Sequence, residues 1–215
     1  MADVFVRPET CKLIATVQTD ICEVDNLYSC PSTNGVIGRG ESFDSTGLTS
    51  VSINDPTTGL SSLDDVWGDG SSRLQMSGDK DGDIVRKGFG SSSAVGEAKM
   101  FGLWRPVSGT ETAEYSGETV ELAGKTFLRI EVIVIAHLPY PIPSFTGREV
   151  RAYNEELDLT VTLEVTHDSN ILSGSNSRLA QLSLPGQPGF GDEQPRYGCM
   201  TLGAVSRASD REVPA

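Results

Sequence analysis

Four cysteines, two histidines and one run of alternating aspartates are the residues of this 215-residue chain whose types and spacing suggest chemistry. Three cysteines, Cys11, Cys22 and Cys30, crowd into "CKLIATVQTDICEVDNLYSC", and the fourth, Cys199, stands far away in "PRYGCMTL". Zinc sites favour pairs separated by about two to four residues; here ten and seven residues intervene. An even count reads instead as a disulfide framework, which implies an oxidising compartment, periplasmic or secreted. Asp25-Asn26 is a good turn between Cys22 and Cys30. A hairpin folded there sets these two cysteines opposite one another. The expected pairs are therefore Cys22–Cys30 and Cys11–Cys199, the second tying the first strand to the last.

The aspartates Asp79, Asp81 and Asp83 lie in "DKDGD". Oxygens at alternate positions suit calcium, but the EF-hand frame then needs Gly where Ile84 stands and Glu where Gly90 stands. A solvated turn is the simpler reading, and no metal or cofactor is expected. His137 precedes "LPYPIP" and His167 opens "THDSN". No G-x-S-x-G accompanies either, and no glycine-rich phosphate loop opens a helix. Adjacent carboxylates such as Asp64-Asp65 point to opposite faces of a strand and make no acid–base pair. A hydrolase without a recognisable motif is thus the third reading of function. Trp67, Met100, Phe101 and Trp104 are the candidate apolar ligand contacts, three of them gathered in "KMFGLWRP".

The elements that must position these residues are strands. The formal net charge of −13 repels phosphate backbones and excludes nucleic acid as a natural partner. No apolar run reaches the ~18 residues of a membrane-spanning helix; Phe127 to Leu138 is interrupted by Arg129 and Glu131. "MADVFVRPET" carries no signal-peptide pattern. Period-2 alternation and β-branched enrichment mark strands over 12–24, 35–43, 48–53, 97–104, 119–122, 127–137, 148–153, 157–165, 179–184 and 200–205. Turn signals such as "DSTG", "LAGK" and "PGQPG" separate them. Residues 56–96 read as irregular and loop-rich, with "SSLDDVW" as a single helical turn.

The hairpin "TGREVRAYNEELDLTVTLEV" is the clearest unit. Leu157, Leu159, Val161, Leu163 and Val165 share one face, which is expected to be buried; Thr160, Thr162 and Glu164 share the other. The expected fold is all-β with little helix: one disulfide-braced antiparallel sheet that curls, as a half-barrel or sandwich. It forms a single domain over residues 11–206, flanked by an N-terminal extension, 1–10, and a loose tail, 207–215.

The cysteine-flanked opening strands, "GREVRAYNEELDL" and "LPGQPGFGDEQPRYGC" resemble uncharacterised secreted β-rich proteins of Gram-negative bacteria. The pattern G-R-x-V…Y-x-E-E-L-x-L is similar to that of periplasmic lipoprotein carriers. The first resemblance implies compartment. The second implies a half-barrel that holds acyl chains on an open, curved sheet. Together with the residues, these favour a non-enzymatic binding or carrier protein whose partner is a small apolar ligand or another protein. A structural or decoration component of a surface layer or particle is the alternative.

Overall fold

The computed structural model describes residues 5–56, 58, 60–65, 73–78, 89–100, 103–137, 144–167 and 176–199. Twelve strands run in chain order through these residues: β1 Lys12–Thr19, β2 Val24–Ser32, β3 Gly35–Asp44, β4 Gly47–Asp55, β5 Leu60–Asp65, β6 Arg73–Gly78, β7 Phe89–Met100, β8 Leu103–Leu122, β9 Lys125–His137, β10 Phe145–Asn154, β11 Leu159–His167 and β12 Ser177–Ser183. Each strand pairs antiparallel with its neighbours in sequence, and β12 closes on β1. The sheet is thus a closed barrel, where a half-barrel or sandwich was expected. Closure gives each described strand a neighbour on both sides. What closes it is a pairing between chain ends, Thr16 against Ser183 and Val17 against Leu182, which local sequence pattern does not encode.

Short turns make the meander. Between β8 and β9 only Ala123 and Gly124 intervene, with φ of 52° and 76°, the two positive values that a tight hairpin turn of this length requires. The 56–96 stretch expected to be irregular contains β5, β6 and the start of β7, and residues 61–65 of "SSLDDVW" lie in β5 instead of a helical turn. Its polar residues, such as Ser62 paired across to Gln75, carry no hydrophobic alternation, so only neighbouring strands reveal its state. The expected strand 12–24 divides at Asp20–Glu23, and the expected strand 97–104 spans the β7–β8 connection. The expected strand 200–205 and the tail 207–215 lie outside the described residues.

Ala15, Val17, Phe127, Ala152, Leu159, Val161, Leu182 and Leu184 form one buried cluster. It draws on five consecutive strands of the closed sheet, β9, β10, β11, β12 and β1, whose side chains converge on the barrel interior. Leu122 and Ala123 from the β8–β9 turn, and Leu157 from the β10–β11 turn, also pack against it. In a meander those two turns share one end of the barrel. The cluster is therefore an apolar floor at that end. A second buried cluster, Ala113, Ile130, Val132 and Tyr153, lies on the other side of β9 and β10. Phe127 and Ile130 differ in parity along β9 and both are fully buried.

The hairpin β10–β11 departs from strict alternation. A register shift between Val150 and Arg151 leaves Leu163 as the extra residue of β11. Leu159 and Val161 are buried as expected, whereas Leu163 and Val165 are only half-buried. A bulge admits one unpaired residue and resets which side chains face inward.

The opposite face of β1 and β2 is covered by the chain after β12. Asn26, expected in a turn, lies inside β2 and is buried. Its Nδ2 donates to the Asp192 carbonyl at 3.1 Å, while Thr16 Oγ1 donates to its Oδ1 at 2.7 Å. The Gly191 N–H donates to Thr16 Oγ1 at 2.8 Å, and the Arg196 N–H to Gln18 Oε1 at 2.8 Å. Two disulfides fasten these layers: Cys11–Cys30 and Cys22–Cys199. The expected pairs were the wrong partition of the same four cysteines. Cys22 precedes β2 and Cys30 lies near its far end, roughly 20 Å or more along an extended strand at ~3.3 Å per residue. A disulfide needs Cα atoms within about 7 Å. Lys12 pairs with Ser29 instead, which sets Cys11 beside Cys30. Gly198 makes the other bridge feasible: a Cβ there would lie 1.8 Å from the Asp20 carbonyl oxygen.

Candidate functional site

A twelve-stranded barrel is wider than the eight-stranded kind whose side chains fill the interior. The apolar floor occupies one end. Toward the other end a cavity of about 280 Å³ remains, lined from β1, β2, β10, β11 and β12 and from the β1–β2 turn. Its apolar wall includes Val17, Leu27, Val161, Val165 and Leu179, continuous with the floor. Its polar wall holds Glu23, Asp25, Glu149, Thr162, Glu164 and Arg178.

Strand alternation explains the composition. Val17 pairs with Asp25, and Ala15 with Leu27, so Asp25 and Leu27 face the interior that Ala15 and Val17 occupy. Asn26 faces out, toward the covering chain. The sequence "EVDNL" thus sends two carboxylates and a leucine inward from alternate positions.

The electrostatics of the two walls differ. Arg178 Nη2 lies 3.3 Å from Glu164 Oε1. Arg151 Nε donates to Glu149 at 2.7 Å, and its Nη2 to Glu111 at 3.0 Å. These carboxylates have partners of opposite charge. Glu23 has no salt bridge among the described residues, and Asp25 is held by the Ser42 hydroxyl. Burial, reinforced by the charges of Asp25 and Asp44, pushes the Glu23 carboxyl up to about 7. Burial also raises Asp25, with the Ser42 hydrogen bond opposing it. Asp44 sits in the β3–β4 turn, where the Thr46 hydroxyl holds its carboxyl below the usual range.

A second hollow lies between the N-terminal segment and β3, lined by Phe5, Arg7, Glu41, Phe43, Leu48 and Glu193. The Arg7 guanidinium covers the Tyr28 ring at 4.4 Å from its centroid and also bonds the Tyr28 hydroxyl. Glu41 accepts from Arg7 at 2.6 Å and from Arg39 at 2.8 Å. Burial, then the Glu41 charge, raises the Tyr28 hydroxyl to about 12. This network fastens residues 5–10 to the barrel wall.

The apolar contacts expected from sequence do not meet in the cavity. Trp104 is 45% exposed near the start of β8 and lines neither hollow. Met100 ends β7, but its side chain, like Trp67 and Phe101, lies outside the described residues. Asp79, Asp81 and Asp83 lie outside them too. No three His, Cys, Asp or Glu side chains among the described residues converge as a metal site requires. His137 Nδ1 and Ser144 Oγ are 3.0 Å apart on the surface, and neither lines the cavity. His167 ends β11, where its backbone N–H donates to Asn176 Oδ1.

The residues missed by sequence reading are Glu23, Asp25, Glu149, Glu164 and Arg178. Their one legible signal is alternation: in "EVDNLYSC" carboxylates share a face with Leu27, which is unusual on a core strand. No protein-family model, curated protein or solved structure matches this chain.

Proposed function

We propose that this protein is a non-enzymatic binding or carrier protein that holds a small, largely apolar ligand inside its barrel. The cavity carries this reading: about 280 Å³ bounded by five strands, with an apolar floor and a few converging polar groups. That is the usual composition of a ligand pocket, in a volume just below the ~300–1,000 Å³ range. A strand-built interior also resembles what small barrels use to enclose one ligand. Two disulfides are compatible with an oxidising, extracytoplasmic setting, and we assign the protein to the periplasm or to secretion on that ground.

No helix among the described residues is long and apolar enough to cross a membrane.

Native mass spectrometry of protein purified from its own host tests the reading. The expected result is a bound small molecule on the parent chain that is absent from Val165→Trp, which fills the cavity mouth. An unliganded parent, or the same adduct on both chains, overturns it.

A further inference from the structure

We infer that the ligand of this cavity is an organic cation, a protonated amine carrying a compact hydrocarbon body. The inference rests on the binding reading above and assigns the chemical class that the cavity selects.

The charge balance of the lining is unequal. Glu164 is matched by Arg178, and Glu149 by Arg151. Glu23 and Asp25 are matched by no basic group among the described residues. They project from alternate positions of the segment that opens β2, on the same face as Leu27 and above an apolar floor. A carboxylate moved out of water without a counter-charge is strongly disfavoured. It recovers stability by taking a proton or by binding a cation. The raised Glu23 carboxyl, about 7, is the first of these responses.

The shape of the site selects among cations. A hard metal ion needs about six or more oxygens around it. Of the carboxylates that line the cavity, Glu149 and Glu164 are held by Arg151 and Arg178, which leaves Glu23 and Asp25 beside Thr19 and a wall of Val17, Leu27 and Val161. An ammonium has three N–H donors, enough for both carboxylates, and its hydrocarbon body then meets the apolar wall. A fatty acid would instead set its carboxylate against Glu23 and Asp25. The same charges that attract an amine thus reject the acid of equal length.

Three probes of one chain length separate the classes: hexylamine, hexanol and hexanoate, titrated calorimetrically at pH 8. Hexylamine is expected to bind about tenfold or more tighter than hexanol, with hexanoate weakest, as charge-assisted hydrogen bonding predicts. In Glu23→Gln/Asp25→Asn the amine is expected to fall to the affinity of hexanol. Thermal melts of the unliganded double variant, expected at or above the parent, establish that it folds. If hexanol or hexanoate binds as well as the amine, the cation assignment is wrong and the binding reading stands. If the amine preference survives in the double variant, the site lies elsewhere and the assignment is also wrong. If calcium chloride alone displaces the amine, the site is a metal site instead. If none of the three probes binds, both readings fall.

Discussion

Asn26 and Asp192, 166 positions apart in sequence, are joined by a 3.1 Å hydrogen bond from the Asn26 side chain to the Asp192 carbonyl. The bond lies on the outer face of β2, under the chain that follows β12. It shows how this barrel wall is finished: polar side chains on β1 and β2 are satisfied by the backbone of a distant segment. Asn26→Leu removes that donor and also the acceptor used by Thr16. The Asp192 carbonyl loses this donor and the Thr16 hydroxyl loses its acceptor while still receiving the Gly191 N–H, so the cost is expected to be about 1–3 kcal/mol. Thr112→Ala, on an exposed position of β8, should stay within about 0.5 kcal/mol. Urea melts compare the two; equal costs would mean the covering segment contributes nothing at this bond.

The disulfides make a second prediction. Peptide mapping without reduction should recover Cys11–Cys30 and Cys22–Cys199 and no other pair. The loops they close span 19 and 177 residues. The chain-entropy model assigns such loops about 3 and about 5 kcal/mol as upper guides. Replacing Cys22 and Cys199 by serine should therefore destabilise more than replacing Cys11 and Cys30. The reverse order in denaturant melts would show that the covering segment is held by its hydrogen bonds alone.

Glu23 gives the barrel a pH dependence of definite sign. Its carboxyl titrates near 4.5 when unperturbed and near 7 in the fold, so the folded chain binds this proton more tightly. Its contribution is present below pH 4.5 and is lost as the pH rises through 7. Asp25, also raised, acts in the same direction; Glu149, Glu164 and Arg178 complete the charges that line the cavity, and the Asp44 charge also acts on Glu23. Glu23→Gln should match the parent at pH 4. At pH 8 it should exceed it by on the order of 1 kcal/mol, a figure discounted for partial solvation. Thermal melts at pH 4, 6 and 8 measure this, and a variant that gains nothing at pH 8 contradicts the assigned environment.

The apolar floor predicts a difference between two of its residues, one on β9 and one on β11. Phe127 is fully buried, and Phe127→Ala should cost about 3–5 kcal/mol. Leu163 is only half-buried at the bulge of β11, so Leu163→Ala should cost less than about 2 kcal/mol, below the usual range for a core leucine. A Leu163→Ala cost equal to that of Phe127→Ala would mean that the bulge is absent in solution.

What the sequence determined by itself was local. Alternation in "LTVTLEV", "FLRIEVIVIAH" and "GVIGRGESF" marks strands because a strand's side chains change face at every residue. "LAGK" marks its turn because glycine there accepts positive φ at no cost. An even cysteine count with no metal spacing marks disulfides. The remaining features are non-local. The closing of β12 on β1 depends on residues 160 positions or more apart, and no propensity within either strand records it. The cysteine partition follows from where the first hairpin turns. Asp25-Asn26, a good turn in isolation, became strand because Asn26 gained partners from the far end of the chain. The cavity charges were hidden for the same reason. A carboxylate on an alternating strand reads as solvent-facing until the sheet closes, and closure puts one of its two faces inside.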